Sequence, residues 1–371
     1  MGFEIVKMGT TYFKHHIILI LVFLTFINCS KEDSSDSNSS TEQNENQKES
    51  GLKDKAENFY IGVATNANRL NSEADYDPLI RREFSSITAE YEMKMQPILR
   101  QRGNYNWTKA DQIVDYATEH GINVHGHALV WHNATPEWLE NFSGTDTEFE
   151  EEVKNYIKTV VGRYKGKVSS WDVVNEGVSD QGGSLRNTVF LRRMGEDYMA
   201  KCFQYAREAD PNALLFYNDY NMTSNSSKQD KVFELINDWK QRQIPIDGVG
   251  YQMHISYLHP SKAQIQLATN RAVDNNLLLH FSEIDVRSNP NKDITELTDI
   301  RAEQQKTKYK EVVKIFNTIP DKNKYALTLW GIKDDDSWLL SHHNNDNEWP
   351  LLFDKNFMAK KAYQGFSEGL E

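Results

Sequence analysis

Short apolar runs alternate along most of this chain with stretches whose apolar positions recur at helical spacing. The runs Tyr60–Ala64, Ser86–Ala89, Asn123–Leu129, Val168–Val174, Ala213–Tyr217, Gly248–Met253, Leu277–Ile284 and Ala326–Trp330 predict strands. Between them, Lys109–His120, Glu151–Tyr164, Gly195–Ala209, Gln229–Arg242 and Arg301–Ile315 predict helices. Strand–helix alternation of this kind builds a parallel sheet, and eight strands in one series favour a closed (β/α)8 barrel, a TIM barrel, over an open doubly wound sheet. No glycine-rich phosphate loop or dinucleotide fingerprint follows any of the strands.

The first fifty residues break this pattern. Lys7, Lys14, His15 and His16 precede an apolar run from Ile17 to Ile27, too short to span a bilayer and flanked like a signal peptide. Cys29 follows directly, in a loose version of the lipobox whose cysteine is acylated in bacterial lipoproteins. Ser30-Lys31-Glu32-Asp33 is similar to the lysine-plus-acids tag that places some lipoproteins on the outer face of the outer membrane. Residues 1–28 are therefore expected to be a lipoprotein signal peptide and 29–52 a disordered polar tether, since Ser, Asn, Asp, Glu and Gln cannot bury apolar surface. Residues 53–371 are left for the barrel. The expected location is the outer membrane, lipid-anchored and facing the exterior, with the periplasmic face or secretion as alternatives.

A formal net charge of −12 argues against nucleic acid and anionic membrane surfaces as partners, leaving a lipid anchor as the only membrane contact. Apart from Cys29 only Cys202 remains, so no disulfide is expected, and Cys202 falls in a helical pattern as core. A monomer is expected.

In a closed barrel the chemistry sits at the C-terminal ends of the strands. Here those ends are rich in polar and aromatic groups: Glu90 and Lys94, His127 and Trp131, Asn175 and Glu176, Asp219 and Tyr220, Gln252 and His254, Glu283 and Asp285, Trp330 and Trp338. Strict alternation places Asp172, Val174 and Glu176 on one strand face, and Glu283 and Asp285 on another. Two carboxylates at the ends of two strands are what cleavage of a glycosidic bond needs, one as acid and one as nucleophile or base. The surrounding amides and indoles suit a sugar, which offers hydroxyls for hydrogen bonds and C–H faces for stacking. Histidines 125, 127 and 254 could instead ligate a metal, but amides and tryptophans surround them rather than further ligands, so no metal and no cofactor are expected.

The motifs GHALVWHNATPEWL, WDVVNE, NDYN, GYQMHI, SEIDV and WGIKDDDSW, in this order, resemble glycoside hydrolase family 10, the endo-β-1,4-xylanase family. The resemblance implies a (β/α)8 barrel that hydrolyses internal bonds of xylan or xylo-oligosaccharides with retention of configuration. It implies Glu176 as acid/base and Glu283 as nucleophile, with His254 and Asp285 holding Glu283 and with Asp172 in support. It further implies Glu90, Lys94, His127, Trp131, Asn175, Gln252, Trp330 and Trp338 along the glycone side, and Tyr220 with Asn221 on the aglycone side.

Two positions depart from the family pattern. Tyr91 stands where the family usually has Asn, and Met95 where it usually has Trp. Both adjoin the glycone residues Glu90 and Lys94, so substrate preference is affected rather than the reaction. Three alternatives stay open from the residues alone: the same mechanism on another or heavily decorated β-glycan, a transglycosylase, and a non-catalytic glycan-binding surface lipoprotein. The last has no need of a paired acid and nucleophile.

Overall fold

The computed structural model of the 371-residue chain describes residues 50–71 and 74–371. The expected signal peptide, Cys29 and nearly all of the tether lie outside the described residues. Eight parallel strands form the wall: β1 (Tyr60–Thr65), β2 (Ser86–Ala89), β3 (Asn123–Gly126), β4 (Ser170–Asn175), β5 (Leu214–Tyr220), β6 (Gly248–Gln252), β7 (Leu278–Arg287) and β8 (Lys324–Leu329). Each pairs with the next in chain order, and β8 pairs with β1, so the sheet closes on itself as a (β/α)8 barrel.

The predicted helices are present with shifted ends. The stretch expected from Glu151 begins at Asp146, because Thr145 accepts from the Glu148 backbone and Glu148 answers with its carboxylate, a capping box that starts the helix early. At the other end of the chain, Lys361–Leu370 packs beside Asp299–Asn317, where Phe366 comes within 6.3 Å of Tyr309. Packing reaches back to Gly51 and Leu52. Leu52 is fully buried and its backbone N–H donates to Glu83 at 2.8 Å.

Strand alternation separates two environments. Tyr217, Tyr251 and Phe281 point outward: Tyr217 meets Trp239, Tyr251 donates to the Ala268 carbonyl, and Phe281 meets Phe316, all on surrounding helices. The N-terminal half of the barrel interior holds His125, Phe216, His280 and Tyr325, with ring centroids 4.6 to 6.0 Å apart. Burial and the imidazole of His125 hold His280 well below its usual pKa, so it sits there as a neutral core group. This ring layer plugs the barrel and leaves the polar chemistry to the opposite end.

The third strand is shorter than expected. It stops at Gly126, leaves the ladder over 127–129 and rejoins β4 as the two-residue stretch Val130–Trp131. The excursion is anchored by the Leu129 N–H, which donates to the Asp172 carbonyl at 3.0 Å. A similar step follows β6, where His254–Ser256 pairs with the far end of β7.

Candidate active site

The expected face for Asp172, Val174 and Glu176 needs correction, because β4 does not alternate strictly. Pairing with β5 slips between Asp172 and Val174, so Asp172 lies opposite Phe216 and Val174 opposite Tyr217. Such a bulge reverses the parity of every residue after it. Asp172 faces the interior, and Asn175 joins that side in place of Val174. Val174 instead turns towards Gly177 and the packing around Met199 and Tyr198. Glu176 reaches the cleft by another route: its φ is 57°, in the left-handed region that non-glycine residues seldom occupy. Asn175 and Glu176, adjacent in sequence, thereby both face the same cavity.

The other carboxylate strand carries an equivalent slip. Phe281 pairs with Leu327 but Ile284 with Leu329, so three residues of β7 span two of β8. As a result Ser282, Glu283 and Asp285 all make interior contacts. Ser282 Oγ donates to Asn218 Oδ1 at 2.6 Å, and Asn218 Nδ2 donates to Glu283 Oε1 at 2.8 Å. His254 Nε2 lies 3.1 Å from Glu283 Oε2, and its Nδ1 lies 2.7 Å from Asp285 Oδ2. Trp338 Nε1 donates to that same Asp285 oxygen at 3.1 Å.

These contacts set the charges. Burial alone would push Glu283 up. The hydrogen bond from His254, with the neighbouring His127 and the ammonium of Lys94, brings it below the usual carboxylate range. Burial opposes a charge on His254 as well, but Asp285 and Glu283 raise its pKa to about 10, so it stands as an imidazolium at neutral pH. Burial keeps Asp285 above its usual value despite His254 and Trp338. Deeper in, Asp172 lies 2.8 Å from His127 Nδ1 and 3.1 Å from His125 Nε2, and these histidines outweigh burial to hold it well below the usual range.

A chain of amides ties the two glutamates together. Gln252 Nε2 donates to Asn175 Oδ1 at 3.0 Å and to Glu176 Oε1 at 3.3 Å, while Asn218 Nδ2 reaches Asn175 Oδ1 at 3.1 Å and Glu283 as above. Around them the cleft has a volume of about 750 Å³. Lys94 holds its ammonium 4.4 Å from the Trp131 ring centroid, and burial lowers its pKa although Glu283, Glu90 and Glu176 counteract. Trp330 stands against His127 at 5.3 Å, and Trp338 against His254 at 4.9 Å. The Trp131 indole N–H is buried and has no hydrogen-bond partner among the described residues. On the far side of Glu176, Tyr220 OH meets Asp180, and Arg186 donates to Tyr220 OH at 2.8 Å and to the Glu176 carbonyl at 2.9 Å.

The structure brings Glu90, Lys94, His127, Trp131, Asn175, Glu176, Tyr220, Asn221, Gln252, His254, Glu283, Trp330 and Trp338 to one cleft, with Asp172 and Asp285 immediately behind it. Tyr91 lines it too, nearly half exposed at 47%, its hydroxyl donating to Gln96 at 2.8 Å. Met95 is buried and is not among the residues that line the cleft. Several participants had been given no role from the sequence. Asn218 was visible as a strand-end amide, one position before Asp219. His132, whose Nδ1 is 4.0 Å from Glu176 Oε2, follows Trp131 and was equally within reach. Burial and Arg186 push that imidazole down to about 4, so it faces Glu176 uncharged. Asp180 and Arg186 sit on a loop with no periodicity to mark them.

Among known sequences, the profile of glycosyl hydrolase family 10 matches residues 51–368. The chain is similar to the endo-beta-1,4-xylanase Xyn10C of Cellvibrio japonicus, 37% identical over 339 residues, covering 84% of this chain but only 56% of that protein's length. It is also 37% identical over 318 residues to endo-1,4-beta-xylanase B of Paenibacillus barcinonensis, covering 83% of this chain and 94% of that one. Among solved structures, a mutant xylanase10C from Cellvibrio japonicus in complex with xylopentaose superposes with a TM-score of 0.83 at 36% identity, covering 86% of this chain and 69% of that one. Xylanase 10B from Thermotoga maritima superposes with a TM-score of 0.79 at 35% identity, covering 86% and 98%. With its profile match spanning the whole barrel and its relatives well above 30% identity, this chain belongs to glycosyl hydrolase family 10.

Proposed function

We propose that this protein is a retaining endo-β-1,4-xylanase. The observation that carries the proposal is the pairing of two differently held carboxylates in one aromatic-walled cleft. Glu283 is kept ionised by His254 and Lys94, whereas Glu176 faces a neutral imidazole and amide groups. Catalysis by double displacement needs this asymmetry. Glu176 gives its proton to the glycosidic oxygen as Glu283 attacks the anomeric carbon; the C–O bond to the leaving sugar breaks and a glycosyl–Glu283 ester forms. Glu176, now a carboxylate, takes a proton from water, whose oxygen attacks the anomeric carbon and releases Glu283 with the original configuration. Before attack, Asn218 and His254 hold one Glu283 oxygen each, leaving little rotational freedom to the nucleophile.

Product analysis on xylan, cellulose, mannan and mixed-linkage glucan, with Glu283→Ala as control, tests this. Xylo-oligosaccharides from xylan alone are expected. Activity surviving in the control, or products from the other glycans only, would overturn it. A decorated xylan is favoured as the natural substrate by one observation: the exposed ring of Tyr91 occupies the cleft where relatives usually carry a small amide.

The N-terminal sequence supports a lipid-anchored enzyme on the outer membrane, acylated at Cys29 with residues 30–50 as spacer. Incorporation of labelled fatty acid should disappear in Cys29→Ser; unchanged labelling would rule out the anchor.

A further inference from the structure

Beyond Tyr91 the cleft continues into a second groove of about 770 Å³, which shares Glu90 and Tyr91 with it. The groove lacks the indole walls of the cleft. Amides line it, among them Gln96, Gln101 and Asn104, together with the cations Arg100 and Lys109. Its two acids are already committed. Glu90 accepts from Arg69 at 3.2 Å and from Asn66 at 3.1 Å. Glu92, buried, accepts from the backbone N–H of Ala67 at 2.9 Å and that of Tyr91 at 3.3 Å. The cations are not committed in this way. Lys109 Nζ donates only to the amide oxygen of Asn68, at 3.1 Å, and exposed Arg100 has no carboxylate partner among the described residues. With Glu90 offset by Arg69, the groove carries two exposed cations against one buried carboxylate, Glu92, a local exception on a chain of net charge −12.

We propose that this groove seats a uronic-acid branch of the xylan chain, with Arg100 and Lys109 taking its carboxylate and the amides its hydroxyls. The assignment rests on the xylanase reading of the adjoining cleft. A guanidinium and an ammonium suit a sugar carboxylate, and the amides offer donors and acceptors to a ring. Tyr91 stands at the junction of the two cavities, where its ring deflects an unbranched chain and its exposed face lies beside the branch.

The test is binding by titration calorimetry to full-length protein carrying Glu283→Gln, so that no cleavage intervenes. Three probes are compared: a linear xylo-oligosaccharide, the same oligosaccharide bearing one 4-O-methylglucuronate, and its carboxyl-reduced counterpart. Adding Arg100→Gln and Lys109→Gln should weaken the acidic probe about tenfold and move the other two less than twofold. The preference for the acidic probe should also fade as salt is raised. Equal weakening of all three probes, no change in any, or equal affinity of the acidic and carboxyl-reduced probes before the substitutions would overturn the proposal. Melting curves of the variants separate misfolding from lost contacts. Hydrolysis of linear xylan by the unsubstituted protein reads the xylanase assignment separately: its absence would overturn that assignment, while the calorimetry still decides what the groove binds.

Discussion

Nδ1 of His254 lies 2.7 Å from Oδ2 of Asp285, and this pairing fixes which ring nitrogen faces Glu283. With Nδ1 committed, Nε2 is left 3.1 Å from Glu283, carrying a proton and a positive charge. Asp285 thus acts on Glu283 through His254 without touching it. Trp338 anchors the far end of the relay by donating to the same Asp285 oxygen, so the first residue of the short helix Trp338–His343 after β8 also bears on Glu283.

Replacing Asp285 with Asn should therefore alter the pH dependence more than the fold. The largest charge raising the His254 pKa disappears, the imidazole deprotonates at lower pH, and Glu283 loses part of what keeps its own pKa down. The acidic limb of kcat/KM, which would report ionisation of Glu283, should move upward by less than about one pH unit, because the lost imidazolium charge is partly offset by removal of the repulsion between Asp285 and Glu283. A profile identical to that of the unsubstituted protein would show that Asp285 only fills space.

Gly250 tests the other support of Glu283. A Cβ at this position would stand 2.3 Å from Asn218 Oδ1, the atom that accepts from Ser282 while the Nδ2 of the same amide holds Glu283. Gly250→Ala should displace the amide, at an overpacking cost of about 1–3 kcal/mol. It should lower kcat on xylan by about tenfold or more, because small misplacements of a reacting group are expensive. Substrate binding by stacking should persist, so KM should change little. A loss of stability with full kcat would mean that Asn218 relaxes without moving Glu283.

How far the sequence revealed this site depends on what kind of geometry each residue needed. The barrel was legible because eight apolar runs alternate with helical periods, and the carboxylates were legible because strand ends carry function in such a fold. The bulges in β4 and β7 were not. A slip in register leaves no mark in hydrophobic alternation when the residues concerned, Val173 and Val174, are apolar on both sides. Asn175 was identified by type but not by face, and the positive φ that aims Glu176 belongs to the turn rather than to any pattern. Arg186 was invisible for a related reason: an arginine in a loop reads as solvated until the fold folds it back on the Glu176 carbonyl.

Tyr91 is where this chain leaves its family at the surface of the cleft. Its hydroxyl spends its hydrogen bond on Gln96, so it does not replace the amide contacts that the usual Asn would offer a sugar. Tyr91→Asn should raise kcat/KM on linear xylo-oligosaccharides by up to about tenfold, the worth of one regained hydrogen bond. Cleavage of activated aryl xylosides, too short to reach that position, should stay nearly unchanged. Equal effects on both substrates, or none on either, would place the ring outside the path of the chain.

Lys228 offers a last test, on stability and pH together. It is fully buried with Nζ 2.6 Å from Asp219, equally buried, and 3.6 Å from the ring centroid of Tyr220 on the cleft wall. Burial pushes Asp219 up to about 6, with Lys228 and Tyr217 limiting the rise. A carboxyl raised above its unfolded value of about 3.9 contributes stability that is full below that value and is lost as pH rises through the folded one. Lys228→Met removes the main group holding Asp219 down, so its folded pKa climbs further and the loss extends to higher pH. The variant should be destabilised by about 3–5 kcal/mol near pH 8, where a lone buried carboxylate must be carried or neutralised. Near pH 5 the penalty should be smaller, because Asp219 is then protonated in the folded state. Melting temperatures of both proteins between pH 5 and 8 decide the matter: curves that diverge with rising pH support the pair as charged. A constant offset would mean that Lys228 contributes packing alone, and in that case Tyr220 should keep its position and KM for xylan should not change.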